Sequence, residues 1–395
     1  MEDNTYCGDT LIREMAEHLY IHVPFCDGKC HYCGFYSVMG APEVVARYSG
    51  LVAVEYDRRL AAMPELRGFA PRTIYMGGGT PAMLGSDGMK RLADSLAERV
   101  LFAAVEEWTV ELNPASASAA FLKTLAALGV NRVSIGVQSF DDGTLSRIGR
   151  RHTADEACAA VKRAQDAGFA NTGIDLIAGL PGVTPALWEA TLAHALTLGL
   201  KHLSVYALTL EADTPLTAQV AAGLEVPGDE AQLAALAQAE ATLGGSGFSR
   251  YEISNYALPG CECQHNLGIW RGGDYLGLGP ASASRIGRLR WINGEDLEEY
   301  IGALTRAHEL PPCDAETLDA ADDATERAMF TLRLSEGIDP AAAARRFPSL
   351  RGSVEHWERR LADLVRHGIT ERGGCGWRLT ARGREVCDAV LRELV

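Results

Sequence analysis

The sequence predicts an α/β protein: a partial (β/α)6 barrel followed by a smaller C-terminal α+β domain of winged-helix type. Three observations carry that prediction. Short β-rich runs alternate with longer amphipathic runs through the first 210 residues. Tight hairpin signals are missing between them, so the strands run parallel and the crossovers are helical. Finally, each strand candidate ends in a chemically unusual residue or motif. In a β/α barrel the C-terminal ends of the strands converge on one site, whereas a doubly wound sheet gathers its signals at one switch point.

Taken in order, the strand candidates are Leu19–Val23, Thr73–Met76, Trp108–Leu112, Arg132–Val137, Gly173–Ile177 and His202–Leu208. The helical patterns between them are Val44–Ala62, Lys90–Val100, Ala117–Ala127, Ala154–Ala167 and Pro185–Leu198. The first strand stops at Pro24 and runs into three cysteines, the second into G-G-G-T-P, the third into E-L-N-P. The fourth ends at Gln138, the fifth carries Asp175, and the sixth reaches Thr209.

Beyond residue 210 the repeat stops. Residues 211–304 are expected to extend the barrel, 305–326 to form a linker marked by Pro311-Pro312 and several acids, and 327–395 to form the terminal domain. Helices followed by the hairpin-like I-T-E-R-G-G-C-G-W-R-L-T suggest a winged helix, a module that can read DNA. The acidity of the chain favours a packing or lid role for it.

The net charge of −15 argues against nucleic-acid or anionic-membrane binding, both of which need a positive field. No apolar run is long enough to span a bilayer. The start M-E-D-N-T lacks a basic segment followed by an apolar run, so a cytoplasmic, soluble protein without signal peptide is expected. In a reducing compartment the ten cysteines are ligands, core residues or free thiols rather than disulfides. Cys7, Cys158, Cys313, Cys375 and Cys387 are scattered and read as incidental.

Cys26, Cys30 and Cys33 form C-x3-C-x2-C in one short loop. Three thiolates are one short of the set that fills an iron–sulfur cluster, which would leave one iron open to a small molecule. A zinc site completed by His22 or His31, or a redox pair at Cys30 and Cys33, uses the same residues. Gly77-x-Gly79-x-x-Ala82 fits a dinucleotide fingerprint, but no acid closes a following strand at the expected distance. Thr80 reads as an N-cap with Pro81 first in the helix, and the glycines as a place where bare backbone meets a ligand. Cys261, Cys263 and His265 form a second group, either a structured loop around a buried histidine or an incomplete zinc site.

The stretch Y-I-H-V-P-F-C-x3-C-x-Y-C, followed in order by G-G-G-T-P, E-L-N-P, G-V-Q-S-F and I-D-L-I-A-G-L-P, resembles the radical S-adenosylmethionine superfamily. The resemblance is to the branch of oxygen-independent coproporphyrinogen III oxidase and its relatives, over nearly the whole chain. It implies a [4Fe–4S] cluster on Cys26, Cys30 and Cys33, whose open iron is chelated by S-adenosylmethionine. It further implies reductive cleavage of that cofactor to a 5′-deoxyadenosyl radical, with flavodoxin or ferredoxin as electron donor. Gly78, Gly79, Thr80, Glu111, Gln138, Arg150 and Asp175 match cofactor-contact positions of the family, as do Tyr20, Tyr32 and Thr209. Arg147 and Arg151 stand beside Arg150 and compete for its role.

Y-E-I-S-N-Y-A followed by C-x-H-N-L resembles the heme-chaperone (HemW-type) branch, whose H-N-x-x-Y-W motif is linked to heme. Here it reads H-N-L-G-I-W, with Ile269 in the tyrosine position. The resemblance implies heme or porphyrin as cargo at His265 and an apo-hemoprotein such as an apo-cytochrome as acceptor. The oxidase instead decarboxylates coproporphyrinogen III to protoporphyrinogen IX. It carries a fourth cysteine where this chain has Phe35, and a longer N-terminal extension, and both differences favour the chaperone.

Overall fold

The computed structural model describes residues 17–66, 68–373 and 376–393; Cys7, Cys375 and the N-terminal segment read above lie outside them. Six parallel strands lie side by side in chain order: β1 (His18–Val23), β2 (Thr73–Gly78), β3 (Glu107–Leu112), β4 (Arg132–Gln138), β5 (Asn171–Ala178) and β6 (His202–Ala207). Their alternation gives the barrel two different faces. Leu19, Ile21, Val23, Ile74, Met76, Val110, Val133 and Ile135 face the surrounding helices and are fully buried. Each such side chain contributes about 1.5–3 kcal/mol through burial. The register aligns the opposite set, His18, Tyr20 and His22 with Thr73, Tyr75 and Gly77, then Glu107, Thr109 and Glu111. Those residues line the lumen, so the inner face of the barrel is polar.

The sheet is larger than six strands. Beyond β6 lie β8 (Asn255–Ala257), from the Y-E-I-S-N-Y-A stretch, and β7 (Ser249–Arg250), just before it, both in antiparallel pairings. On the other edge the Gly-rich run supplies β9 (Tyr275–Leu278), parallel to β1, followed by the antiparallel β10 (Ala283–Ile286), β11 (Leu289–Asn293) and β12 (Cys313–Thr317). Gly277 is what lets β9 and β10 approach, because a Cβ there would meet the Ala283 carbonyl at 2.2 Å. A buried carboxylate fastens this extension to the first helix, Pro42–Ala62. Glu55 accepts from the Gly279 amide at 2.8 Å, from Asn293 at 2.7 Å and from the Tyr300 hydroxyl at 2.9 Å.

The expected linker is ordered structure. Pro311 and Pro312 precede β12, an exposed edge strand where a missing amide hydrogen is tolerated. The acids that suggested a solvated linker start the helix Ala320–Leu332 instead. Asp319 accepts from the amides of Ala321 and Asp322. Asp323 is buried against Arg285 of β10 and Arg327. This charge cluster joins the terminal unit to the sheet edge, where a buried pair fixes orientation more than it adds stability. The unit continues through the helices Pro340–Arg346 and Val354–Val365 to the hairpin β13 (Thr370–Gly373) and β14 (Gly376–Leu379), around Trp357, Trp377 and Leu361. No helix among the described residues is long and apolar enough to cross a membrane.

Candidate functional site

A cavity of about 500 Å³ opens at the C-terminal ends of β1–β6. Cys26, Cys30, Cys33, Tyr32, Gly78, Gly79, Thr80, Glu111, Gln138, Arg150, Asp175 and Thr209 all line it. Tyr20 and His265 do not; they line a second cavity of about 320 Å³, with His22, Tyr36, Ile269 and Glu295. Gly34 and Phe35, at the end of the cysteine loop, border both cavities.

The loop is pinned to the glycine run by backbone bonds, Gly79 N–H to the Val23 carbonyl at 2.8 Å and Thr80 N–H to the Phe25 carbonyl at 2.6 Å. Each of the three glycines is required by a different neighbour. A Cβ on Gly77 would meet the Glu111 carboxylate at 2.5 Å, one on Gly78 the His22 ring at 2.5 Å, and one on Gly79 the Phe25 carbonyl at 2.4 Å. Gly78 also has φ +96°, in the left-handed range. Gly78→Ala is therefore expected to cost about 1–3 kcal/mol and to lower the thermal midpoint by a few degrees, as read by circular dichroism.

Thr80 precedes Pro81 as expected, but its hydroxyl does not cap the helix. It accepts from Asn113 Nδ2 at 2.9 Å and lies 3.4 Å from Cys26 Sγ. Asn113 is a residue that the sequence reading passed over, although it stands in the E-L-N-P motif. Its other end accepts from Arg150 Nη2 at 3.0 Å, so it bridges Thr80 to the arginine. Gly136, Tyr206 and Glu211 are further lining residues without a distinctive sequence signal.

Among the three neighbouring arginines, Arg150 enters the cavity. Its Nη1 lies 3.4 Å from Cys30 Sγ, and its Nη2 also donates to the Gly136 carbonyl. Arg147 is occupied by the Pro181 carbonyl, and Arg151 pairs with Asp27 at the surface. Gln138 sits at a bulge in β4 with φ +69°, a conformation that costs an ordinary residue 1–3 kcal/mol and turns its side chain into the site. The Gln138 side-chain carbonyl and Arg150 Nε are buried without hydrogen-bond partners among the described residues. Buried polar atoms of this kind call for a ligand.

Glu111 accepts from the Tyr75 hydroxyl at 2.7 Å, and burial, reinforced by Asp175, pushes its carboxyl up to about 7. Asp175, held by Ser134 at 3.2 Å, is raised by burial as well. Burial likewise raises the Cys33 thiol. Among the described residues, no three or more His, Cys, Asp or Glu stand close enough to share one metal ion. A single zinc needs its ligands within about 2.3 Å of one point, whereas a four-iron cluster binds its thiolates on separate irons and takes a wider spread. His22, one zinc candidate, has both ring nitrogens engaged, by the Tyr20 hydroxyl at 3.2 Å and the Tyr36 carbonyl at 2.9 Å.

Of the second group, His265 lies in the helix Gln264–Trp270, which closes the end of the barrel opposite the cysteine loop, while Cys261 and Cys263 precede that helix. Glu107, at the start of β3, caps that helix by accepting from the Gln264 and His265 amides at 3.0 and 3.1 Å, and the Cys263 thiol donates to it at 3.4 Å. His265 is buried; its Nδ1 lies 2.8 Å from the Thr73 hydroxyl, and Nε2 has no hydrogen-bond partner among the described residues. Burial, with His18 and Arg132 nearby, holds its imidazole well below the usual histidine range, so it is neutral at pH 7.

Residues 20–195 match the model of the radical SAM superfamily, and residues 318–386 that of the HemN C-terminal domain. The heme chaperone HemW of Mycobacterium tuberculosis is 36% identical over 381 residues, 95% of this chain and 94% of that protein. HemW of Bacillus subtilis is 33% identical over 385 residues, 95% and 99% of the two chains. The solved structure of coproporphyrinogen III oxidase (HemN) from Escherichia coli, described as a radical SAM enzyme, superposes with a TM-score of 0.81 at 24% identity, covering 96% of this chain and 90% of its own, which establishes the fold.

Proposed function

The chain belongs to the radical SAM superfamily and, within it, to the HemW family, and from that premise we propose that it is a heme chaperone, binding heme and delivering it to apo-hemoproteins. The proposal has two sites. In the first cavity, Cys26, Cys30 and Cys33 hold a [4Fe–4S] cluster and leave one iron for S-adenosylmethionine. The cluster, when bound, supplies an electron to the sulfonium of that cofactor. The chain's own groups do the positioning. The Gly77–Gly79 backbone, with no Cβ to block it, lies against the methionyl end. The Glu111 carboxylate takes its ammonium group or the ribose hydroxyls. The unpartnered Gln138 carbonyl and the Arg150 guanidinium supply further polar contacts. The orphaned polar atoms beside three thiols on one loop support this assignment.

In the second cavity His265 is the heme ligand, a neutral imidazole with a free nitrogen facing a largely aromatic chamber. That observation carries the chaperone reading, because histidine is a normal axial ligand of heme iron. An apo-cytochrome as acceptor, flavodoxin or ferredoxin as electron donor, and a cytoplasmic location complete it.

The test is anaerobic cluster reconstitution followed by separate additions of heme and of coproporphyrinogen III. Heme is expected to give a histidine-type Soret band that is lost in His265→Ala, with coproporphyrinogen unchanged. Conversion to protoporphyrinogen would overturn the chaperone reading and make the protein an oxidase.

A further inference from the structure

His265 is held by a two-residue chain that no sequence motif marks. His18 opens β1 and Thr73 opens β2, and the parallel register sets them side by side. Thr73 Oγ1 lies 2.8 Å from His18 Nδ1 and 2.8 Å from His265 Nδ1, with all three residues buried. A hydroxyl carries one hydrogen and two lone pairs, so Thr73 can donate to one imidazole at most and can accept from either. The arrangements therefore fall into two classes for His265. In one, His265 carries its proton on Nδ1, donates to Thr73, and leaves Nε2 as a bare lone pair. In the other, His265 Nδ1 is the acceptor, and a protonated Nε2 faces the cavity and cannot ligate iron.

Building on the heme-chaperone reading above, we propose that Thr73, backed by His18, is a positioning residue that selects the Nδ1–H tautomer of His265 and aims Nε2 at heme iron. The packing holds the chain in place. A Cβ on Gly268 would lie 2.0 Å from His18 Cε1, and one on Gly273 2.9 Å from His18 Nε2. The His18 ring is thus wedged against the helix that carries His265 and cannot swing away from Thr73. The two rings meet edge to face at 5.7 Å. His22, which lines the same cavity, has no nitrogen to spare, so the ligand role falls to the histidine that this chain orients. Outer partners of metal-bound histidines fix tautomer and ring angle, and their loss typically weakens metal binding about 10- to 100-fold.

The experiment is an anaerobic heme titration of the reconstituted full-length protein, with resonance Raman of the ferrous complex to read the iron–imidazole stretch. Thr73→Val is expected to weaken heme binding about 10- to 100-fold and to lower that stretch, because the hydrogen bond that makes the imidazole more basic is gone. Thr73→Ser is expected to match wild type. His18→Leu keeps the Thr73 acceptor but frees its orientation, so a smaller shift in the same direction is expected. His18→Leu decides the matter alone if Thr73→Val does not fold. Wild-type affinity and stretch in Thr73→Val and His18→Leu, with the band lost in His265→Ala, would overturn the tautomer inference and leave the heme reading standing. Indistinguishable spectra for wild type and His265→Ala would overturn both.

Discussion

Cys26→Ala is expected to abolish the four-iron cluster. The three thiols stand on one loop, and among the described residues no other cysteine lines the cavity to replace a lost ligand. Cys26 lies 3.4 Å from the Thr80 hydroxyl and 3.1 Å from the Gly28 carbonyl, neither of which is a soft donor for iron. After anaerobic reconstitution, the alanine variant should retain at least ~10-fold less iron and acid-labile sulfide than wild type, a floor set by what even an outer partner contributes. Its visible charge-transfer absorbance should vanish. A full complement of four irons in Cys26→Ala would sink the assignment of the loop. Thermal unfolding of the metal-free variant should match that of metal-free wild type, because the loop's fixed points are backbone bonds at Val23, Phe25 and Pro24 rather than the thiols.

The second large effect is a pH dependence at Glu111. Its folded pKa of about 7 lies above the ordinary carboxylate value of 4.5. The folded chain therefore binds that proton more tightly than the unfolded chain. Stability from this group is fully present below about 4.5 and is lost as pH rises through about 7, by up to about 3 kcal/mol. A cationic ligand ammonium reverses the preference, since it favours the ionised carboxylate. Affinity for S-adenosylmethionine is expected to climb by up to about tenfold per pH unit from 5.5 to 7 and then level off. That window lies below about 7.7, where an α-amino group starts to lose its own proton. Glu111→Gln should flatten both dependences. Apo-protein melting across the range reads the first, and calorimetric titration the second. A steep wild-type slope preserved in Glu111→Gln would assign the effect to another group.

The six barrel strands were legible because apolar residues alternate with polar ones along them and each ends in a chemically unusual residue or motif. Leu19, Ile21 and Val23 announce the buried face directly. The cysteine loop and the triglycine were legible for a similar local reason, as their spacing is a chemical statement in itself. The edge strands were not. β12 is exposed at every residue, so its place is set by ladder bonds to β11, and no hydrophobic period betrays it. Asp319 and Asp323 looked like a solvated run because the partners that use them, a helix start and Arg285, are invisible in the local sequence. Asn113 was missed although its motif was noticed, since its role as a bridge from Thr80 to Arg150 exists only in three dimensions. Tyr20 and His265 fall into a chamber separate from the other site residues for a reason of register. Tyr20 lies on an inner layer of the barrel and His265 on the helix that closes its far end, whereas the cysteines and Glu111 crown its rim.

Gly34 and Phe35 border both chambers. A segment that touches both chambers is a place where an occupant of one can be felt in the other. If an occupant of the thiol-lined chamber biases the position of this segment by some free energy, the occupant of the histidine chamber experiences the same quantity, with the roles reversed. Any such coupling would pass through a segment that includes Phe35, which stands where the oxidase pattern has a fourth thiol.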